Sequence, residues 1–238
     1  MNNFKDLRWK WLEEKGLKVY GDQLQVDYLK ALWEPVDKTQ GVFCEAKAGT
    51  GKTALAVLAG AYEVENQNYD KIIYIRNAVP VRDQGFLPGD DKQKSEPYMV
   101  PVADALNLLG YGTYESWASE FSGEPRLVTL TTAFVRGVTW ENTFVIIDEA
   151  QNFDLEELQA TYTRCSKTSK VVTIGSVRQV DNRKVKRIAG LTPFEVFMKH
   201  FEGMEGVSFH TLENCYRGWF ADHADDIQET VKKLGRVV

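Results

Sequence analysis

Apolar residues in this chain gather in short β-branched runs separated by stretches with helical spacing. Five runs read as strands: Val42–Cys44, Lys71–Ile75, Leu127–Thr131, Phe144–Ile147 and Lys170–Ile174, with Val207–Leu212 as a sixth. Short β-rich runs alternating with helices predict an α/β fold, a mainly parallel sheet with helices on both faces. Helical patterns cover 1–16, which is charged and amphipathic and carries Trp9 and Trp11, then 22–33 and 54–61. A last helix is predicted from near Phe220, with Asp222, Asp225, Asp226 and Glu229 early and Lys232, Lys233 and Arg236 late, matching the helix dipole. The longest interruption, 78–126, holds Pro80, Gly85, Pro88, Gly89, Pro97 and Pro101, with 99–110 and 113–121 helical inside it. It reads as an elaboration between two strands. The expected organisation is a helical extension over 1–20 followed by one domain over 21–238.

The turn after the first strand carries specific chemistry. Residues 46–53 read Ala-Lys-Ala-Gly-Thr-Gly-Lys-Thr and lead into the helix-forming run 54–61. A strand, a glycine-rich turn and Gly-Lys-Thr opening a helix form a phosphate-binding P-loop. Ala48, Gly49, Thr50 and Gly51 supply the cradle, whose N–H groups and helix start favour an anion. Lys52 reaches the β- and γ-oxygens, and the Thr53 hydroxyl is a Mg²⁺ ligand. Ala46 stands where the usual pattern has glycine, which requires a negative φ there.

A second strand, Val145-Ile-Ile-Asp148-Glu149, ends in two acids. Beside a P-loop, Asp148 is assigned to the metal and Glu149 to the general base. A third, Lys170–Ile174, runs into the polar turn Gly175-Ser-Val-Arg-Gln179, and strand ends of this kind face the ligand crevice. Gln179 is thus either a γ-phosphate or water sensor or a solvated loop residue.

Charge narrows the partners. The 238 residues have a net charge of −5, so no global field draws the chain to nucleic acid. A local basic stretch (Arg164, Lys167, Lys170, Arg178, Arg183, Lys184, Lys186 and Arg187, against Asp181) is either a solvated face or a contact for RNA or single-stranded DNA. No apolar run reaches membrane-span length, and the charged opening residues predict no secretory leader. Cys44, Cys165 and Cys215, like His200, His210 and His223, fit no metal spacing. They read as structural or surface residues of a cytoplasmic protein.

Five stretches together resemble the PhoH-like ATPase family. They are the P-loop; Arg76 with Gly85-Phe-Leu-Pro-Gly-Asp90, Lys94, Pro97-Tyr98 and Pro101; Arg136-Gly137 with Thr139; Asp148-Glu-Ala-Gln-Asn152; and Asn214-Cys-Tyr-Arg217. The resemblance implies a RecA-like fold related to superfamily 1 helicases, with ATP and Mg²⁺ as cofactors. It implies Gln25 as the adenine reader and Arg217 as an arginine finger. Tyr28 either stacks on the base or packs in the core. Arg217 is supplied by a neighbouring subunit of a homo-oligomeric ring of about six, acts within its own chain, or pairs with the acidic last helix. Arg76 contacts nucleic acid or the γ-phosphate. Besides Ala46, the chain departs from the family at Gly175-Ser176, where relatives have Gly-Asp, while Gln179 and Asp181 remain. Two functions follow: an ATPase coupled to RNA or DNA binding or unwinding, or an ATP-dependent binding module that does not translocate.

Overall fold

Six strands form one parallel sheet: β1 Gly41–Ala46, β2 Lys71–Arg76, β3 Leu127–Thr131, β4 Thr143–Asp148, β5 Lys170–Gly175 and β6 Val207–Leu212. Their order is β3-β2-β4-β5-β1-β6. The computed structural model describes residues 3–17, 19–77, 91–108, 110–119, 123–132, 135, 137–177, 182 and 185–235, without the side chains of 3–8, 20, 91–98, 228, 229 and 232.

The pleat divides each strand between two cores. Val42, Cys44, Ile72, Tyr74, Phe144, Ile146, Val172 and Ile174 face α2 (Gln23–Trp33) and α3 (Lys52–Glu65). Phe43, Ile73, Ile75, Val145, Ile147 and Val171 face α6 (Leu155–Tyr162) and α7 (Pro193–Phe201). Both α6 and α7 start on capping boxes, Asp154 with Glu157 and Thr192 with Glu195, and Pro193 occupies the first turn of α7. At the chain start, α1 (Asn3–Glu14) buries Leu12 and sets Trp9 edge-on to Trp33 and Trp11 edge-on to Tyr62. No helix among the described residues is long and apolar enough to cross a membrane.

Three expectations change. The helix expected from 99 starts at Asp91, giving α4 (Asp91–Leu108), followed by α5 (Tyr114–Ala118). Pro97, ahead of the expected helix, lies inside α4, whose burial of Val102, Ala105 and Leu106 in the core around α2 and α3 anchors the helix despite the proline. The single last helix is two, α8 (Trp219–Asp225) and α9 (Ile227–Leu234), because Asp226 leaves helical geometry at φ −86°, ψ 7°.

One cation of the basic stretch is not at the surface. Lys170 is fully buried, and its Nζ donates to the carbonyls of Ala31 at 3.1 Å and Glu34 at 2.8 Å and to that of Thr39. These carbonyls lie at and just beyond the C-terminal end of α2, where a cation is favoured. Arg164 and Lys167 precede β5 in the chain, and residues 185–187 follow it. Arg178, Asp181, Arg183 and Lys184 lie outside the described residues; Lys167, Lys186 and Arg187 are exposed. Lys170→Met keeps the aliphatic stem but strips the donor from these carbonyls, with an expected loss of about 2–4 kcal/mol of stability. Urea unfolding checks this, and an unchanged midpoint would mean that water takes over the carbonyls.

Candidate nucleotide site

The C-terminal ends of the strands bring the chemistry together, as open parallel sheets do. The turn after β1 leads through Gly51, at φ +87°, into α3. Ala46 ends β1 in extended geometry, so the position that usually holds glycine carries an alanine without strain. The turn is braced from within: the Lys47 carbonyl accepts from Thr50 Oγ1 at 3.0 Å and from Lys52 Nζ at 3.3 Å. Ala48 and Gly49 are half-buried on the turn, whereas Thr50 and Lys52 are buried.

Gln25 supports the same turn, donating through Nε2 to the Thr50 carbonyl at 2.9 Å. One amide hydrogen of the expected adenine reader is therefore bound to the P-loop backbone. Tyr28 takes the core reading: it is fully buried, its hydroxyl donates to the Lys52 carbonyl at 3.4 Å, and burial pushes its pKa far up.

The acids stand opposite. Asp148 is 1% exposed and accepts from Thr53 Oγ1 at 3.2 Å, from its neighbour's N–H, that of Glu149, at 2.9 Å, and from the Tyr74 hydroxyl at 2.5 Å. Burial and then the Glu149 charge push its carboxyl up, against Tyr74, Arg76 and Lys52, which favour the anion. Burial and the Asp148 charge keep Tyr74 a phenol, so it is the donor. Glu149 adopts left-handed geometry, φ 54°, ψ 43°, costly for a residue other than glycine and typical of functional turns. Its carboxylate accepts from Gln151 Nε2 at 2.5 Å and lies 3.9 Å from Arg76 Nη2. Arg76 thus meets the candidate base directly, a contact that neither sequence reading of this residue contained.

β5 lies between β1 and β4, so its end, Gly175-Ser176, faces the gap between P-loop and acids. Gln151 is fully buried and spans that gap: its Oε1 accepts from the Ser176 N–H at 2.9 Å, which fixes its Nε2 toward Glu149. A Cβ on Gly175 would lie 2.8 Å from that Oε1, so close approach requires glycine here. Gln179 lies outside the described residues.

Arg217 lies over the P-loop of its own chain. A Cβ on Gly49, at φ +76°, would come within 2.9 Å of Cys215 Sγ and 3.0 Å of Arg217 Cγ. The Tyr216 N–H donates to the Gly49 carbonyl at 2.8 Å. Cys215, expected to be structural or on the surface, therefore touches the nucleotide turn. The acids of α8 and its end pair with another partner: Lys47 Nζ lies 3.7 Å from Asp222 and 3.1 Å from Asp226. Cys44 and Cys165 are inert, their thiols pushed by burial to about 12, and no cluster of metal-ligating His, Cys, Asp and Glu occurs among the described residues.

Comparison with known proteins agrees with this geometry. The profile for PhoH-like protein matches residues 21–223. The chain belongs to the PhoH-like protein family. It is 34% identical over 185 residues to a PhoH-like protein of Synechocystis, covering 76% of this chain and 53% of the relative. It is 37% identical over 174 residues to a PhoH-like protein of Bacillus subtilis, covering 72% of this chain and 52% of the relative. The chain thus spans about half the length of these relatives. Among solved structures it is similar to the large terminase of bacteriophage D6E in complex with ADP, with a TM-score of 0.51 and 11% identity, covering 79% of this chain and 44% of the terminase. The fold is of the RecA-like P-loop type.

Sequence reasoning assigned no role to Tyr74 and Gln151. Tyr74 had a signal, a hydroxyl in the otherwise aliphatic run Ile72–Ile75, because a buried hydroxyl needs a partner. Gln151 stood in a recognised motif, but its partner, Ser176 just beyond β5, is 25 residues away.

Proposed function

We propose that this PhoH-like protein hydrolyses ATP with Mg²⁺. The observation that carries the reading is the pairing of Thr53 Oγ1 with the buried Asp148 carboxylate, 3.2 Å apart, beside Lys52 and Glu149. These are hard oxygen donors, and the buried anion is one that a divalent cation would stabilise, so the residues fit Mg²⁺. Thr53 and Asp148 would hold the ion, which when bound neutralises charge on the β- and γ-phosphates. Lys52 and the P-loop N–H groups bind and orient the phosphates. Glu149 accepts a proton as water attacks the γ-phosphorus, and the bond from that phosphorus to the β,γ-bridging oxygen breaks, releasing phosphate and ADP. Gln151 holds Glu149 with an oxygen free of protons toward the amide. Arg217 acts within its own chain on the charge that develops at the γ-phosphate. The extension to an RNA or single-stranded DNA effector rests on the exposed Lys186 and Arg187 beyond β5.

Phosphate release, measured with and without Mg²⁺ and with and without RNA or single-stranded DNA, tests the reading. Mg²⁺-dependent release supports hydrolysis, and binding of ATP without release returns the chain to a nucleotide-dependent binding module. Equal rates with and without nucleic acid would remove the effector and leave hydrolysis standing. With Arg217 in cis, mixed Arg217→Ala and Lys52→Ala chains are expected to stay inactive. Recovered turnover would mean that the arginine crosses between subunits of a ring.

A further inference from the structure

Asp22 is 4% exposed and lies just ahead of α2, far in sequence from every residue given a role above except Gln25. One carboxylate oxygen caps α2, accepting from the Leu24 N–H at 3.0 Å and the Gln25 N–H at 3.3 Å. The other accepts from Asn214 Nδ2 at 3.0 Å and from the Tyr216 hydroxyl at 2.8 Å. Tyr216 in turn donates its backbone N–H to the Gly49 carbonyl, and the Arg217 stem lies against Gly49. Gln25, on the capped end of α2, holds the Thr50 carbonyl. A cap needs only one oxygen. The second is committed to a segment more than 190 residues away, whose four residues end in the arginine over the phosphate turn.

We propose that Asp22 is a positioning residue: its carboxylate clamps the Asn214–Arg217 turn onto the P-loop and so sets Arg217 at the phosphate end of the site. The inference rests on the proposed role of Arg217 and extends it. Tyr216 is itself 60% exposed, so little packing holds this turn, and the hydrogen bonds to Asp22 and Gly49 carry its placement. Burial alone would push the Asp22 carboxyl up, but the donors from Asn214, Tyr216, Gln25 and Leu24 outweigh it and set the group below its ordinary value. It is therefore an anion at neutral pH, and both tethers are charge-assisted.

Asp22→Ser separates clamp from cap, because serine caps a helix as well as aspartate but offers one oxygen. The expected result is a loss of about tenfold or more in kcat with KM for ATP little changed, since two charge-assisted bonds disappear while the nucleotide-binding turn remains. Tyr216→Phe, which removes one tether from a largely exposed ring, is expected to lose kcat in the same direction by a smaller factor. If Asp22 acts through Arg217, Asp22→Ser adds nothing to Arg217→Ala, and Tyr216→Phe adds nothing either. Wild-type kcat in both clamp variants would overturn the proposal. So would losses that multiply with Arg217→Ala, the sign of a general structural role. Should Asp22→Ser fail to fold, Tyr216→Phe alone and with Arg217→Ala decides the question. Full turnover in Arg217→Ala is a different failure, since it removes the arginine from catalysis and the clamp with it.

Discussion

Lys52→Ala is expected to lower ATP turnover by roughly 10²–10³ or more and to weaken ATP binding. Lys52 is the first residue of α3 and is 7% exposed, and the only hydrogen bond described for its ammonium is to the Lys47 carbonyl at 3.3 Å. A neutral carbonyl is a weak partner for a buried cation, so a phosphate oxygen is the stronger acceptor when nucleotide arrives. Alanine keeps the helix start, as the best helix former, and removes only the cation. The lost charge-assisted bonds correspond to about 1.5–3 kcal/mol of binding. Phosphate release and titration with a fluorescent nucleotide measure the two effects, and a variant that turns over at the wild-type rate would remove the P-loop lysine from the mechanism.

Glu149→Gln is expected to bind Mg-ATP and hydrolyse it about 10²–10⁴ times more slowly. The substitution isolates the proton acceptor. Glutamine has the same backbone preferences, so the left-handed geometry at φ 54° carries the same strain as before. Its side-chain oxygen can still accept from Gln151 Nε2, so the bridge to the Ser176 N–H survives. Asp148 and Thr53 are untouched. A loss of nucleotide affinity instead of rate would reverse the assignment and make Glu149 a ligand.

The fold was legible because its signals are local. Continuous apolar runs such as Ile72–Ile75 and Val145–Ile147 have one stable placement, a parallel strand covered on both faces, and all six expected strands form with ends shifted by at most two residues. The P-loop and the pair Asp148–Glu149 were legible for the same reason: each is a contiguous string at a strand end. What the sequence hid depends on contacts between distant segments. Lys170 counted as a surface cation because nothing nearby reveals the carbonyls of Ala31, Glu34 and Thr39 that enclose it. The late position of Arg217 left delivery from a neighbour, action in cis and a salt bridge open; the pairing of β6 with β1, which brings the Arg217 stem beside Gly49 of the same chain, is a long-range contact that the sequence does not display. Asp22 drew no assignment from the sequence, because half of its bonding lies more than 190 residues away. Gln179 and Asp181, the expected residues beyond β5, lie outside the described residues.

β5 enters the site with one end and is fastened at the other. Its first residue, Lys170, is nailed to the end of α2, while its last, Gly175, meets the amide of Gln151. Slippage of this strand by one position would swap every side chain between the two cores and drag an ammonium out of its ring of carbonyls. The strand therefore behaves as a fixed post between the phosphate turn and the acids.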